Sequence, residues 1–190
     1  MKRLLAFLLV LTVLLGGCAK ETKKLELQSN EVYADPKNPT PKQIEAFNLL
    51  GEEISKKDEK AIVKQAAISF AYDFFSFKNK DSEKDIGGLT YFQESKRDKT
   101  KDYVLFYYYK NYSLIVNQYG AESLPQVKEV VAVDPAEAKF EDKDLGKINA
   151  YQVRLSLAYE DTKLPDNALK TDAVITMVKY EGVYRVVAID

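Results

Sequence analysis

Apolar residues recur at helical spacing in the first half of the chain and alternate with polar ones in the second. Ile44, Phe47, Leu50 and Ile54 stand three or four apart, the spacing of one helix face. Just before them Thr40 can cap, Pro41 suits the first helical position and Gln43 can close a capping box. Ser55 and Asp58 provide a break and a new cap, and Ile62, Ala66, Phe70, Phe74 and Phe77 then share a second face. This second helix is the more apolar of the two and is expected to be the central packing helix. A third pattern lies in YVLFYYYKNY, residues 103–112, which holds five of the chain's 13 tyrosines. Val104, Leu105, Tyr108, Tyr109, Tyr112, Ile115, Val116 and Tyr119 fall within an arc of about 140° at 100° per residue. That predicts one amphipathic helix of roughly 17 residues, ending near Gly120 as its C-terminal cap. Tyr103, Phe106 and Tyr107 are left on a second stripe. They either contact the first helix or form a ligand or partner surface.

From Leu124 the period changes to two. QVKEVVAVD reads as a strand stopped by Asp134-Pro135. In INAYQVRLSLAYE, Tyr151, Val153, Leu155, Leu157 and Tyr159 point one way, and Gln152, Arg154 and Ser156 the other. TDAVITMVKY and VYRVVAID follow, joined by Glu181-Gly182, a tight hairpin signal. Two or three helices followed by four strands predict an α+β fold with a curved antiparallel sheet, and not a parallel nucleotide-binding sheet.

Between the second and third helices, residues 78–102 are rich in charge, with 13 Asp, Glu, Lys or Arg, and read as a loop with a short element at LTYF. Asp81, Glu83 and Asp85 alternate there and are candidate metal ligands. A calcium loop of the EF-hand kind needs glycine at its sixth position and a bidentate acid at its twelfth. Counted from Asp81, those places hold Ile86 and Phe92, so a solvated charged loop is the better reading.

The N-terminus changes the setting. Lys2 and Arg3 precede an apolar run from Leu4 to Leu15 broken only by Thr12. The run falls short of the roughly 20 residues a spanning helix requires and suits a secretory signal. It ends in LGGC, residues 15–18, and Cys18 is the only cysteine. The tetrapeptide resembles the lipobox of bacterial lipoproteins. The resemblance implies cleavage before Cys18, a diacylglycerol on its thiol and an N-acyl chain, with the mature protein lipid-anchored at the cell membrane and facing outside the cytoplasm. Two or more acyl chains give firm anchoring where one is marginal. Loss of residues 1–17 takes Lys2 and Arg3 with it, so the formal net charge goes from −1 to −3. Residues 18–40 are polar, with Pro36 and Pro39 near their end and Pro41 just beyond, and read as a flexible tether. The folded domain is then residues 41–190.

Composition narrows the chemistry. The near-balance of 28 basic and 29 acidic residues argues against nucleic-acid binding, which needs a basic excess. The chain has no histidine, which excludes Ser-His-Asp and Cys-His catalysis and removes the commonest metal ligand. A single cysteine rules out an internal disulfide and a cysteine zinc site.

The order of elements, with a last hairpin reading MVKYEGVYRVVAID, resembles the NTF2-like (cystatin-like) superfamily over about residues 41–190. The matching features are Glu181-Gly182, Tyr184, Arg185, Val186 and Ile189. The resemblance implies a curved sheet wrapped around a long helix, leaving a cone. Some members are isomerases or dehydratases with an acid and tyrosines in that cone. Asp73, flanked by Tyr72 and Phe74 on the apolar second helix, is the candidate acid here. Others are non-catalytic modules of envelope and secretion machinery. The leading expectation is a non-catalytic binding or assembly lipoprotein without cofactor, whose partner is an envelope protein or a small apolar ligand. The alternatives are an enzyme using Asp73 and a small-ligand-binding lipoprotein. About 150 folded residues are few for a two-lobed solute receptor.

Overall fold

The computed structural model describes residues 25–190. Helix α1 (Pro41–Lys56) starts as the sequence dictates. Thr40 Oγ1 accepts the Gln43 N–H, and Gln43 Oε1 accepts the Thr40 N–H at 2.7 Å. Its end is set by Lys57 in the left-handed conformation. Asp58 caps α2 (Glu59–Phe74) through the Ala61 N–H at 3.1 Å. Two buried glutamines clamp the pair. Gln43 Nε2 donates to the Tyr72 carbonyl at 2.8 Å, and Gln65 Nε2 donates to the Ala46 carbonyl at 2.9 Å. Each satisfies a polar side chain that would be costly to bury unpaired.

The sheet is antiparallel and strongly curled. Its spine is β3 (Gly146–Tyr159). One edge of β3 is shared by two segments, β1 (Val127–Ala132) against its C-terminal half and β2 (Ala136–Asp142) against its N-terminal half. On the other side lie β4 (Asp172–Tyr180) and then β5 (Val183–Ile189). Five strand segments therefore occupy four positions, with the outer strand broken around Asp134-Pro135. The alternation along β3 is as expected: Val153, Leu155 and Leu157 are buried while Gln152, Arg154 and Ser156 are exposed. The β4–β5 turn places Glu181 at φ 49° and Gly182 at φ 84°, the two left-handed residues of a hairpin turn that matches strand twist. Register shifts at Val127/Glu129 and Thr176/Met177 are bulges that add to the curl.

Helix α2 lies in the concavity. Val63, Ala66, Phe70 and Phe74 are fully buried against Val153, Ile175, Met177 and Val186. Phe92, Tyr91 and Tyr33 fill the rest of the interior. Phe70 meets Phe92 edge-on at 5.5 Å, and Tyr33 stacks on Tyr91 at 4.4 Å. Each fully buried aromatic contributes about 1.5–3 kcal/mol relative to exposure.

Three expectations are corrected. Residues 18–40 were expected to be a tether up to the start of α1, but from Glu26 onward they are a strap docked on the domain. The Glu26 carbonyl accepts from Asn48 Nδ2, and the Gln28 N–H donates to Asn48 Oδ1, both at 2.8 Å. Leu27 and Val32 pack on the core, and Tyr33 is only 3% exposed. The third helix is not one regular helix from residue 103. It begins as α3 (Arg97–Val104), widens into a π-helical turn over Leu105–Tyr109, and resumes as α4 (Tyr112–Tyr119). Tyr108 and Tyr109 lie in that wide turn and both turn inward: the Tyr109 hydroxyl donates to the Phe74 carbonyl at 2.7 Å, the Tyr108 hydroxyl to the Ile189 carbonyl at 3.2 Å. Finally, β2 was not expected as a separate strand segment.

Candidate functional site

Cys18 and the signal segment lie outside the described residues. Among those described, no helix is long and apolar enough to cross a membrane.

Asp73 is buried near the end of α2, and both of its carboxylate oxygens are engaged by the protein. Oδ1 accepts from Lys80 Nζ at 2.5 Å, and Oδ2 accepts the Gly88 N–H at 2.6 Å. The Lys80 side chain is 1% exposed. The Gly87-Gly88 pair explains how the loop comes so close. A Cβ on Gly87 would stand 2.0 Å from the Asp73 carbonyl oxygen, and Gly88 has φ 69° beside the Phe70 ring. Glycine is the residue that allows such an approach. The Gly87 N–H donates to the Tyr109 hydroxyl at 3.1 Å. Burial raises the Tyr109 phenol well above its ordinary value, so it remains a neutral hydrogen-bond donor and acceptor. Tyr91 is raised by burial too, and its hydroxyl donates to Ser69 Oγ at 2.8 Å. The acid, the lysine, the two glycine amides and Tyr109 thus close the 77–88 loop onto α2. Lys80 as the partner of Asp73 was not legible in the sequence, because the loop offers several lysines.

The acids Asp81, Glu83 and Asp85 are not brought together as a metal cluster among the described residues. Lys37 from the strap bridges Asp81 and Asp85. Asp85 also accepts the Asp81 N–H at 3.0 Å, and Glu83 accepts from Ser113 Oγ at 2.8 Å. They fasten the loop to the strap and to α4.

Tyr103, Phe106 and Tyr107 do not reach α1. They are 52%, 61% and 59% exposed. They touch one another, with ring centroids 4.4 Å apart for Tyr103–Tyr107 and 4.9 Å for Phe106–Tyr107. Lys110 Nζ lies 5.1 Å from the Phe106 centroid, a cation–π contact at an exposed site. Leu114, one turn on, is 52% exposed. The inner stripe of the same helical segment explains how this ridge is held out: Val104 and Tyr109 are fully buried, and Tyr112 donates to the Lys80 carbonyl at 2.8 Å.

A half-open groove of about 330 Å³ lies elsewhere, between the strap, the α1–α2 junction and the β4–β5 turn. Val32, Ile54, Ile62 and Val183 give it apolar walls, and Lys57, Glu59 and Lys179 line its mouth. Glu59 is held below the usual carboxylate range by the Lys179 ammonium beside it. Comparison with protein-family models, with curated proteins and with solved structures finds no match.

Proposed function

We propose that this chain is a lipid-anchored extracytoplasmic protein whose NTF2-like α+β domain is a non-catalytic binding or assembly module of a bacterial cell envelope. The lipobox at residues 15–18 supports the anchor, with the diacylglycerol on Cys18. The exposed aromatic ridge of Tyr103, Phe106 and Tyr107 is the observation that carries the binding role. Exposed aromatics in mutual contact are an interaction surface, whereas isolated exposed apolar residues need no explanation. A non-catalytic role is favoured because the one acid proposed for chemistry, Asp73, spends both oxygens on Lys80 and Gly88. A small apolar ligand would find its walls in the groove beside Tyr33 and Val183.

The anchor is tested by Cys18→Ser together with mass analysis of the mature N-terminus. The expected result is loss of acyl mass, loss of cleavage before residue 18 and release from the lipid-anchored fraction. A Cys18→Ser chain that is still processed and still membrane-bound by the same means refutes the reading.

A further inference from the structure

The docked strap changes what a lipid anchor at Cys18 implies. With Glu26 already fixed to Asn48, eight residue steps separate it from the anchor point. Fully extended, they reach at most about 27 Å. A folded unit of this size has a radius of gyration of about 15 Å. The leash is therefore no longer than the domain is wide, and the domain works in contact range of the lipid headgroups.

The ridge has the chemistry for that neighbour. Tyr and Phe at half exposure, with a lysine folded over one ring, are the side chains that settle at the boundary between headgroups and acyl chains. Residues 94–112 carry five Lys or Arg against three Asp or Glu, in a chain whose formal net charge is −1. The ridge thus sits on a locally basic segment, as an anionic lipid surface requires. Resting on the anchored-lipoprotein reading above, we infer that the occupant of the ridge is the bilayer itself: Tyr103, Phe106, Tyr107 and Leu114 enter the headgroup region of an anionic membrane, with Lys110 directed at the lipid phosphates. The lipid anchor and the ridge are then two contacts with one membrane, and they fix which side of the domain faces away from it.

The chain contains no tryptophan, so one introduced indole reports alone. Full-length lipidated chain carrying Tyr107→Trp is reconstituted in phosphatidylglycerol–phosphatidylcholine vesicles, with and without bromine on the acyl chains. A second chain carries Val131→Trp, at a site 58% exposed on β1. The expected result is blue-shifted emission that bromolipid quenches at least twofold for Tyr107→Trp, with quenching below a fifth for Val131→Trp. Adding Lys110→Glu to the Tyr107→Trp chain is expected to reduce that quenching. Unquenched, red emission from Tyr107→Trp in a chain whose Cys18 acyl mass is present overturns the inference and leaves the anchor standing. Blue-shifted emission without quenching means that a second copy or another protein covers the ridge, and also overturns it. Absence of acyl mass on Cys18 identifies failure of the anchor itself, and with it removes the leash on which the inference depends.

Discussion

Replacing Tyr33 by alanine tests whether the strap belongs to the folded unit. Its ring stacks on Tyr91 at 4.4 Å, lies 5.5 Å from the Arg185 guanidinium and is 3% exposed. Its hydroxyl donates to the Tyr184 carbonyl at 2.7 Å. Truncating a buried aromatic to alanine costs about 3–5 kcal/mol. Tyr33→Phe keeps the ring and orphans only the Tyr184 carbonyl, at about 1–2 kcal/mol. Against a total stability of about 5–15 kcal/mol, the alanine change is severe. With a urea slope of about 2 kcal/mol per M, the midpoint should fall by roughly 2 M for Tyr33→Ala and by about 0.5–1 M for Tyr33→Phe. Urea unfolding of the full chain followed by circular dichroism reads both shifts. Proteolysis at Lys37 should rise in Tyr33→Ala, since the Lys37 contacts to Asp81 and Asp85 lose their support. A Tyr33→Ala midpoint within about 0.3 M of wild type (under about 1 kcal/mol) would refute the docked strap and restore a tether running to residue 40.

The Asp73–Lys80 pair should behave as structure. Asp73→Asn leaves the buried Lys80 ammonium uncompensated and should cost about 3–5 kcal/mol, while the double change Asp73→Leu with Lys80→Met should recover much of that; equilibrium unfolding decides, and an Asp73→Asn chain of unchanged stability contradicts the reading. Asp142 supplies a pH dependence. It is 3% exposed, and its carboxyl is held well below the usual range, first by Lys96 and then by the Asp144 N–H and the Tyr180 hydroxyl. Because the folded value lies below the unfolded one near 3.9, the stabilisation is present above about pH 4 and is lost as pH falls further. Lys96→Met should therefore flatten the acid limb of the urea midpoint against pH, and an unchanged limb would count against this role for Lys96.

Several features could be read directly from residue order. The Thr40-Pro41-Gln43 start, the Asp58 cap, the alternation along β3 and the Glu181-Gly182 turn are local signals, and each has the geometry its residues dictate. The helical wheel also separated Val104 and Tyr109, which are buried, from Tyr103, Phe106 and Tyr107, but whether that second stripe met the first helix or the solvent was not decided by the sequence. The missed elements lack a local signal. Strand β2 lies on an exposed edge, with Glu137, Lys139 and Glu141 facing water, so its alternation is mostly polar. The strap packs as irregular chain, and its apolar contributors Leu27, Val32 and Tyr33 follow no period. Helix α3 opens with a charged, exposed turn that resembles loop. The wide turn at Leu105–Tyr109 comes from tertiary packing of two adjacent tyrosines, which intrinsic propensity does not encode. The pairing of Asp73 with Lys80 across a charged loop is likewise a tertiary choice among several lysines.

A domain held at the membrane by a short leash must sit close to the bilayer, and its height above the headgroups can be measured. Neutron reflectometry of the full-length lipidated chain on a supported phosphatidylglycerol–phosphatidylcholine bilayer resolves any water layer between headgroups and protein. The expected result is protein density continuous with the headgroups, with no water layer between them. A resolved water layer between the headgroups and the protein would contradict it, and one thicker than the roughly 27 Å that eight residues can span would contradict the short leash as well.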